Sequence, residues 1–143
     1  MAIERSSSAR WEGDLKGGNG HFSLGSSGAI SGSYTYASRF ESGEGTNPEE
    51  LIAGAHAACY AMAFSNMLAG EGHTPERMDV TATATLDMDA GKITKIHLVA
   101  NGRVPGVDEA TFEQLANKAK DGCPISATLA AVDEITLDAT LQH

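Results

Sequence analysis

Between Val80 and Met88 the chain alternates strictly, with Val80, Ala82, Ala84, Leu86 and Met88 set against Thr81, Thr83, Thr85 and Asp87. A period of two marks a half-buried strand. Asp89-Ala90-Gly91 predicts a hairpin turn, and Lys92 to Ala100 its partner strand. Ile93 is out of phase with Ile96, Leu98 and Ala100, which predicts a bulge near Thr94. After Asp108 the period changes: Phe112, Leu115, Ala116 and Ala119 fall at helical spacing and Gly122 is a stop signal. Pro124 opens a short third helix with Cys123 at its N-cap position, and Ile135, Leu137, Ala139 and Leu141 share one face of a last strand. Residues 9–40 read as short strands, Arg10–Leu15, His21–Leu24 and Ser33–Phe40, separated by Gly- and Ser-rich turns.

The longest continuous pattern lies between these two parts. From Ala53 to Ala63 the residues are small and apolar on every side, which predicts a buried helix. Asn47 suits its N-cap, Pro48 its first position, and Glu50 stands at capping-box spacing, so Glu49 is the carboxylate without a local use. Gly70-Glu71-Gly72 and then Pro75 end it. The apolar run, interrupted by His56, reads as too short to span a membrane. The organisation is therefore a single domain over 1–143, with N-terminal strands at 9–40, a central helix at about 47–70 and a strand-strand-helix-helix-strand part at 78–142. The fold class is α+β, with antiparallel sheets around the long helix. Glu49 and Cys59 are ten positions apart, about 15 Å along a helix axis, so they cannot touch within one chain. Gly54 is their midpoint, and a Gly inside a helix costs about 1 kcal/mol against Ala. Two copies crossing antiparallel at Gly54 would bring Glu49 of each near Cys59 of the other, which predicts a homodimer with shared reactive centres.

Composition narrows the function. Hydrophobic residues make up 41% and charged residues 20% of the 143, ordinary for a globular protein, but the net charge is −9. That balance argues against nucleic acid and anionic membranes as partners, because both call for basic patches. The opening Met-Ala-Ile-Glu-Arg-Ser-Ser-Ser has no apolar core and no cleavage pattern, so the expected compartment is the cytoplasm. In that reducing setting two cysteines, Cys59 and Cys123, are more readily catalytic, metal-binding or simply buried than a structural bridge. None of the glycines precedes a Lys-Ser or Lys-Thr, so no phosphate-binding loop is expected.

Burial raises a thiol's pKa, so a reactive Cys59 in an apolar helix needs a cation beside it. Arg39, on a strand leading toward the helix, is the candidate, and Glu49 is placed to brace its guanidinium through two hydrogen bonds. Cys123, ahead of Pro at a helix start, sits where the dipole favours a thiolate. One thiol in a dry helix and one on a mobile helix start fit attacking and resolving roles. His56 shares a helix face with Cys59 and raises two rivals: a Cys–His nucleophile for acyl transfer, and a zinc site of Cys59, Cys123 and His56. The first lacks a residue to orient the imidazole and the second lacks close-spaced ligand pairs, so His56 reads as a satisfied packing residue.

Trp11-Glu12-Gly13-Asp14, Ser38-Arg39-Phe40-Glu41, the block Gly45 to Ile52 with its Asn-Pro-Glu, Ala55-His56-Ala57-Ala58-Cys59, Ile93-Thr94-Lys95-Ile96 and Gly122-Cys123-Pro124-Ile125-Ser126 together resemble the OsmC/Ohr family of thiol peroxidases, in its osmotically inducible OsmC branch. The resemblance covers nearly the whole chain. It implies an intertwined homodimer with active sites at the subunit interface, reducing organic hydroperoxides, and hydrogen peroxide less well, without metal, haem or flavin. It implies Cys59 as the peroxidatic thiol, Cys123 as the resolving thiol and Arg39 with Glu49 as the activating pair. The first hairpin holds Lys16 where the Ohr branch has its functional Arg, so Arg39 fits the OsmC branch. An external dithiol, a lipoylated protein among the candidates, would reset the disulfide. Walls of Ala, Met62, Phe64 and Met67 would favour hydroperoxides with a hydrocarbon tail. The competing reading is a redox sensor or stress-induced binding protein that forms the same disulfide without turnover.

Overall fold

A computed structural model describes residues 1–143. The chain packs as two compact units, Met1–Leu51 and Ile52–His143, each taken here by itself.

In the first unit, β1 (Ser8–Glu12), β2 (Asn19–Ser23) and β3 (Ser31–Tyr34) form an antiparallel meander. Trp11 and Tyr34 close over Gly20, their ring centroids 5.5 Å apart, and a Cβ at position 20 would stand 2.6 Å from the tyrosine ring. The predicted strand Ser33–Phe40 stops at Tyr34. Tyr36–Phe40 is a short helix, α1, so Arg39 is on a helix and not on a strand. The residues are good strand formers, but a local capping box decides otherwise. Thr35 Oγ1 accepts from the Ser38 N–H at 3.1 Å and Ser38 Oγ accepts from the Thr35 N–H at 2.8 Å.

Helix α2 runs Pro48–Gly70. Asn47 caps it as expected, its Oδ1 accepting from the Glu50 N–H at 2.7 Å. Glu50 does not complete a capping box; its carboxylate accepts instead from the Thr46 hydroxyl at 2.6 Å. The far end closes as a Schellman motif, with His73 N–H to Leu68 O, Gly72 N–H to Ala69 O, and Gly72 at φ +86°. At 23 residues α2 is long and apolar enough to cross a membrane by length and composition, contrary to the expectation from the sequence. Ala53, His56, Tyr60, Phe64 and Leu68 form one buried stripe. The expectation of burial all round fails on the other side, where Gly54, Ala55, Ala58, Met62 and Ala69 are exposed within the chain, Met62 at 75%.

The second unit holds β4 (Arg77–Asp87), β5 (Lys92–Arg103), α3 (Glu109–Gly122), α4 (Pro124–Thr128) and β6 (Glu134–Gln142). β4 and β5 pair antiparallel, and the register slips between Thr85, opposite Lys95, and Leu86, opposite Ile93, leaving Thr94 as the bulged residue where it was expected. β6 lies parallel to β5, so this sheet is mixed and not antiparallel throughout. The chain leaves β5 at Arg103 and returns through α3 and α4 to begin β6 opposite Lys95. A helical crossover of that kind brings the next strand in parallel. Leu98 and Ala100 of β5 pack with Phe112, Leu115, Ala116 and Ala119 of α3 and with Tyr60, Phe64 and Leu68 of α2 in one apolar core. Phe64 and Phe112 meet in it with centroids 5.0 Å apart.

Candidate active site

The first unit contributes an ion pair. Arg39 Nη2 donates to Glu49 Oε1 at 2.7 Å, and Nε donates to Oε1 and Oε2 at 3.2 and 3.3 Å. The geometry is the one predicted for bracing a guanidinium. Its position is set by the loop between α1 and α2. The Ser38 hydroxyl donates to Thr46 O at 2.7 Å, and Asn47 Nδ2 donates to Ser38 O at 3.2 Å. Gly45, at φ +110°, lets the loop pass where a Cβ would stand 2.7 Å from Ser33 O. The Arg39 side chain is 36% exposed and that of Glu49 12%, so water screens the pair from the arginine side. The guanidinium lies over the Phe40 ring, 5.0 Å from its centroid, and lines a hollow of about 250 Å³ with Trp11, Tyr34 and Tyr36.

The second unit brings the two cysteines together. Sγ of Cys59 and Sγ of Cys123 are 2.9 Å apart as free thiols. Cys123 is fully buried, while Cys59 is partly open onto a groove of about 800 Å³ lined by Ala55, Ala58, Met62, Ala63, Met67 and Ile125. Phe64, expected in that wall, is instead buried in the core on the opposite side of α2. The sulfurs differ in their electrostatics. Burial pushes the Cys59 thiol up, as do the hydrogen bond it gives to Cys123 and the negative charge of Cys123, against one N–H from Ile125. Burial also acts upward on Cys123. It is outweighed there by the bond to Cys59, the N–H groups of Ser126 and Ile125, and the Ser126 hydroxyl, so the Cys123 thiol is held below its ordinary value. Within this unit, then, the surroundings favour a thiolate on Cys123 over one on Cys59.

His56 does not pair with Cys59. Its Nε2 meets Ser126 Oγ at 2.8 Å, and burial lowers its pKa, so the ring is neutral. Nδ1 is buried without a partner, so the residue is only half satisfied. The zinc rival fails on geometry. Cys59, Cys123 and His56 form no cluster able to hold a metal ion, and His56 Nε2 is committed to Ser126. Ser126 was not singled out from the sequence. Its signal was there, a hydroxyl three residues after the Cys123 N-cap, the spacing at which a side chain reaches back to the cap.

The family model described as "OsmC-like protein" matches residues 41–138. The chain is 49% identical to "Peroxiredoxin OsmC" of Escherichia coli K12 over 144 aligned residues, covering 99% of each. The chain belongs to the OsmC-like family. Another relative, "Organic hydroperoxide resistance protein" of Xanthomonas axonopodis pv. citri, is 32% identical over 101 residues, 66% of this chain and 67% of the other. An OsmC-like protein of Mycoplasma pneumoniae has the same fold, with a TM-score of 0.76 over the whole of both chains at 17% identity. The OsmC-like assignment fits the α+β content, the two three-stranded sheets and the long helix.

Proposed function

We propose that the chain is a cysteine-based peroxidase that reduces organic hydroperoxides, and hydrogen peroxide more slowly, to alcohols. The observation that carries this reading is the 2.9 Å approach of two free thiols at the edge of an apolar groove. The kinship with a protein named peroxiredoxin supports it. The Cys59 thiolate attacks the distal peroxide oxygen; the O–O bond breaks, the alkoxide leaves as alcohol after taking a proton, and Cys59 becomes a sulfenic acid. Cys123 condenses with it, forming the Cys59–Cys123 disulfide and releasing water. At their present separation this needs no swing of the resolving thiol. An external dithiol, supplied by a lipoylated protein or a similar carrier, returns both thiols to the reduced state.

The direct test is loss of cumene hydroperoxide with dihydrolipoamide as the electron source, followed by thiol counting. Many turnovers with both thiols consumed are expected. A single oxidation without turnover would support the sensor reading instead. The groove also sets a selectivity. Burying two methylene equivalents of a hydrocarbon tail contributes roughly 1.5 kcal/mol, so kcat/KM for cumene hydroperoxide should exceed that for hydrogen peroxide by about tenfold or more. Equal values would remove the groove from substrate binding.

The working unit in this reading is a homodimer in which the whole of 1–143 serves as one domain. Cys59 needs a cation, since its own surroundings keep it protonated. A guanidinium at 4 Å supplies about 4 kcal/mol at a typical protein dielectric. Ten helical residues separate Glu49 from Cys59 on α2, so Arg39 and Glu49, bonded to each other, would act on the Cys59 of the partner subunit. The exposed stripe from Gly54 to Ala69 is the surface the partner would cover, and nothing within the chain comes within 4 Å of a Cβ built on Gly54. Gly54→Leu should therefore leave the monomer fold intact, with about 1 kcal/mol gained in helix propensity, yet prevent close crossing. Sedimentation velocity at micromolar concentration should find a dimer for the parent and a monomer for the variant. A monomeric parent would end the dimer reading.

A further inference from the structure

Helix α4 is five residues long, and a helix that short does not hold its place by its own hydrogen bonds. Ser126 is its one buried residue, at 5% exposure. The serine hydroxyl meets Nε2 of His56, itself at 0%, across 2.8 Å. The buried anchor of α4 on α2 is therefore a hydrogen bond, with half-buried Ile125 adding apolar contact to the core.

This anchor sits beside the thiols. His56 lies three residues before Cys59 on α2, and Ser126 lies three residues after Cys123, in the first turn of α4. The two elements meet at two points in opposite order, Cys59 with Cys123 at 2.9 Å and His56 with Ser126 at 2.8 Å. A single point of contact would leave α4 free to pivot. Two fix its direction, and with it the seat of Cys123. Nδ1 of His56 has no partner. A buried polar atom left unmet costs stability, and an apolar side chain at position 56 would avoid that cost. Packing alone does not account for a histidine there.

We propose that the His56–Ser126 hydrogen bond is a latch that keeps Cys123 seated against Cys59, and so sets how much peroxide the protein withstands before Cys59 is overoxidised. Both are positioning residues in this inference, which rests on the reading of the cysteine pair given above. The first hydroperoxide turns Cys59 into a sulfenic acid and departs as alcohol. Two fates then compete. In one, Cys123 Sγ attacks Cys59 Sγ, the S–S bond forms, the S–O bond breaks, and the hydroxyl leaves as water with the Cys123 proton. In the other, a second hydroperoxide gives its distal oxygen to the same sulfur, its O–O bond breaks, a second alcohol leaves, and a sulfinic acid remains. The first fate is intramolecular and proceeds only while α4 is docked. The second rises with peroxide concentration. Releasing α4 slows the first and leaves the second untouched.

The seat of Cys123 is measured first without peroxide, in glutathione buffers of set thiol and disulfide content. Glutathione disulfide and the protein dithiol exchange with two glutathione thiols and the protein disulfide, so the equilibrium gives the effective concentration of Cys123 at Cys59. Ser126→Ala and His56→Leu should each lower it about tenfold, the worth of one hydrogen bond. The double variant should fall no further than Ser126→Ala, because both residues act through one bond. His56→Gln, which keeps an N–H near Nε2, should recover most of the loss. With cumene hydroperoxide in excess, intact mass should show sulfinic acid at about tenfold lower peroxide in Ser126→Ala and His56→Leu, while the rate of the first oxidation keeps the parent's value. Side chains that served stability alone would lower Tm and move neither readout.

An unchanged effective concentration in variants folded by circular dichroism would overturn the proposal, as would losses that add in the double variant. A parent that forms no disulfide in any glutathione buffer would overturn it together with the cysteine-pair reading. A parent that forms the disulfide but never turns over peroxide condemns the peroxidase reading alone, and the glutathione measurement then decides the latch. Should His56→Leu not fold, Ser126→Ala decides alone.

Discussion

Cys59→Ser leaves no measurable peroxide turnover, a loss on the order of 10⁴-fold or more, as expected when the sole nucleophile is removed. Cys123→Ser behaves differently. It completes one reduction per site, because Cys59 still attacks peroxide, and then stalls with a sulfenic acid that no neighbour can capture. Excess peroxide should carry that acid on to the sulfinic and sulfonic states. The pair of variants is read by intact mass after a peroxide titration: no added mass for Cys59→Ser and one, then two or three oxygens for Cys123→Ser. A full complement of turnovers by Cys59→Ser would transfer the nucleophile to Cys123 and reverse the assignment.

That reversal is a serious alternative on electrostatics alone. Cys123 is the thiol held below its ordinary value, and Cys59 is the one that burial pushes toward the protonated form. Access argues the other way. A hydroperoxide cannot reach a sulfur with no exposed surface, whereas the groove leads to Cys59. The two sulfurs are 2.9 Å apart and share a hydrogen bond. A cation arriving on the groove side of Cys59 would draw the negative charge to that sulfur and leave the proton on Cys123, where the condensation step then uses it to form water.

How far the sequence reached depended on which kind of information each element needed. β4, β5, α3 and β6 were legible because their buried residues keep a clean period, and even the bulge at Thr94 showed as a break in phase at Ile93. Direction is a different matter. Periodicity says which face of β6 is buried and not which way it runs, so its parallel pairing with β5 depended on reading α3 and α4 as a crossover. α1 was lost because Tyr36 and Phe40 favour strands, while the decision lay with two side-chain hydrogen bonds between Thr35 and Ser38. α2 was placed correctly, but with small apolar residues on both sides its sequence could not say which stripe the chain itself would cover. At the site, Cys59, Cys123, Arg39 and Glu49 stood out by residue type, and the structure joins the first two to each other and the last two to each other. Ser126 was missed, because a serine acquires meaning only once a buried histidine is seen to meet it.

The arrangement of Arg39 and Glu49 makes the last prediction the most discriminating. They bond to each other within one chain, so whichever Cys59 they serve, they serve it together. Arg39→Met should reduce turnover by about 10² to 10³-fold, the usual consequence of removing a group that stabilises charge in the transition state. Cys59→Ser should be inactive. A heterodimer of the two variants, purified through two different tags, separates the possible arrangements. If each site draws its cation from the opposite subunit, one site carries both defects and the other carries neither, and the heterodimer should regain about half the activity of the parent dimer. If Arg39 serves the Cys59 of its own chain, every site is defective and the heterodimer stays as inactive as its parents. Restoration cannot come from a change in stability, because each subunit keeps the substitution it had in the inactive homodimer. The assay therefore reports which chain supplies the charge that turns a sheltered thiol into a nucleophile.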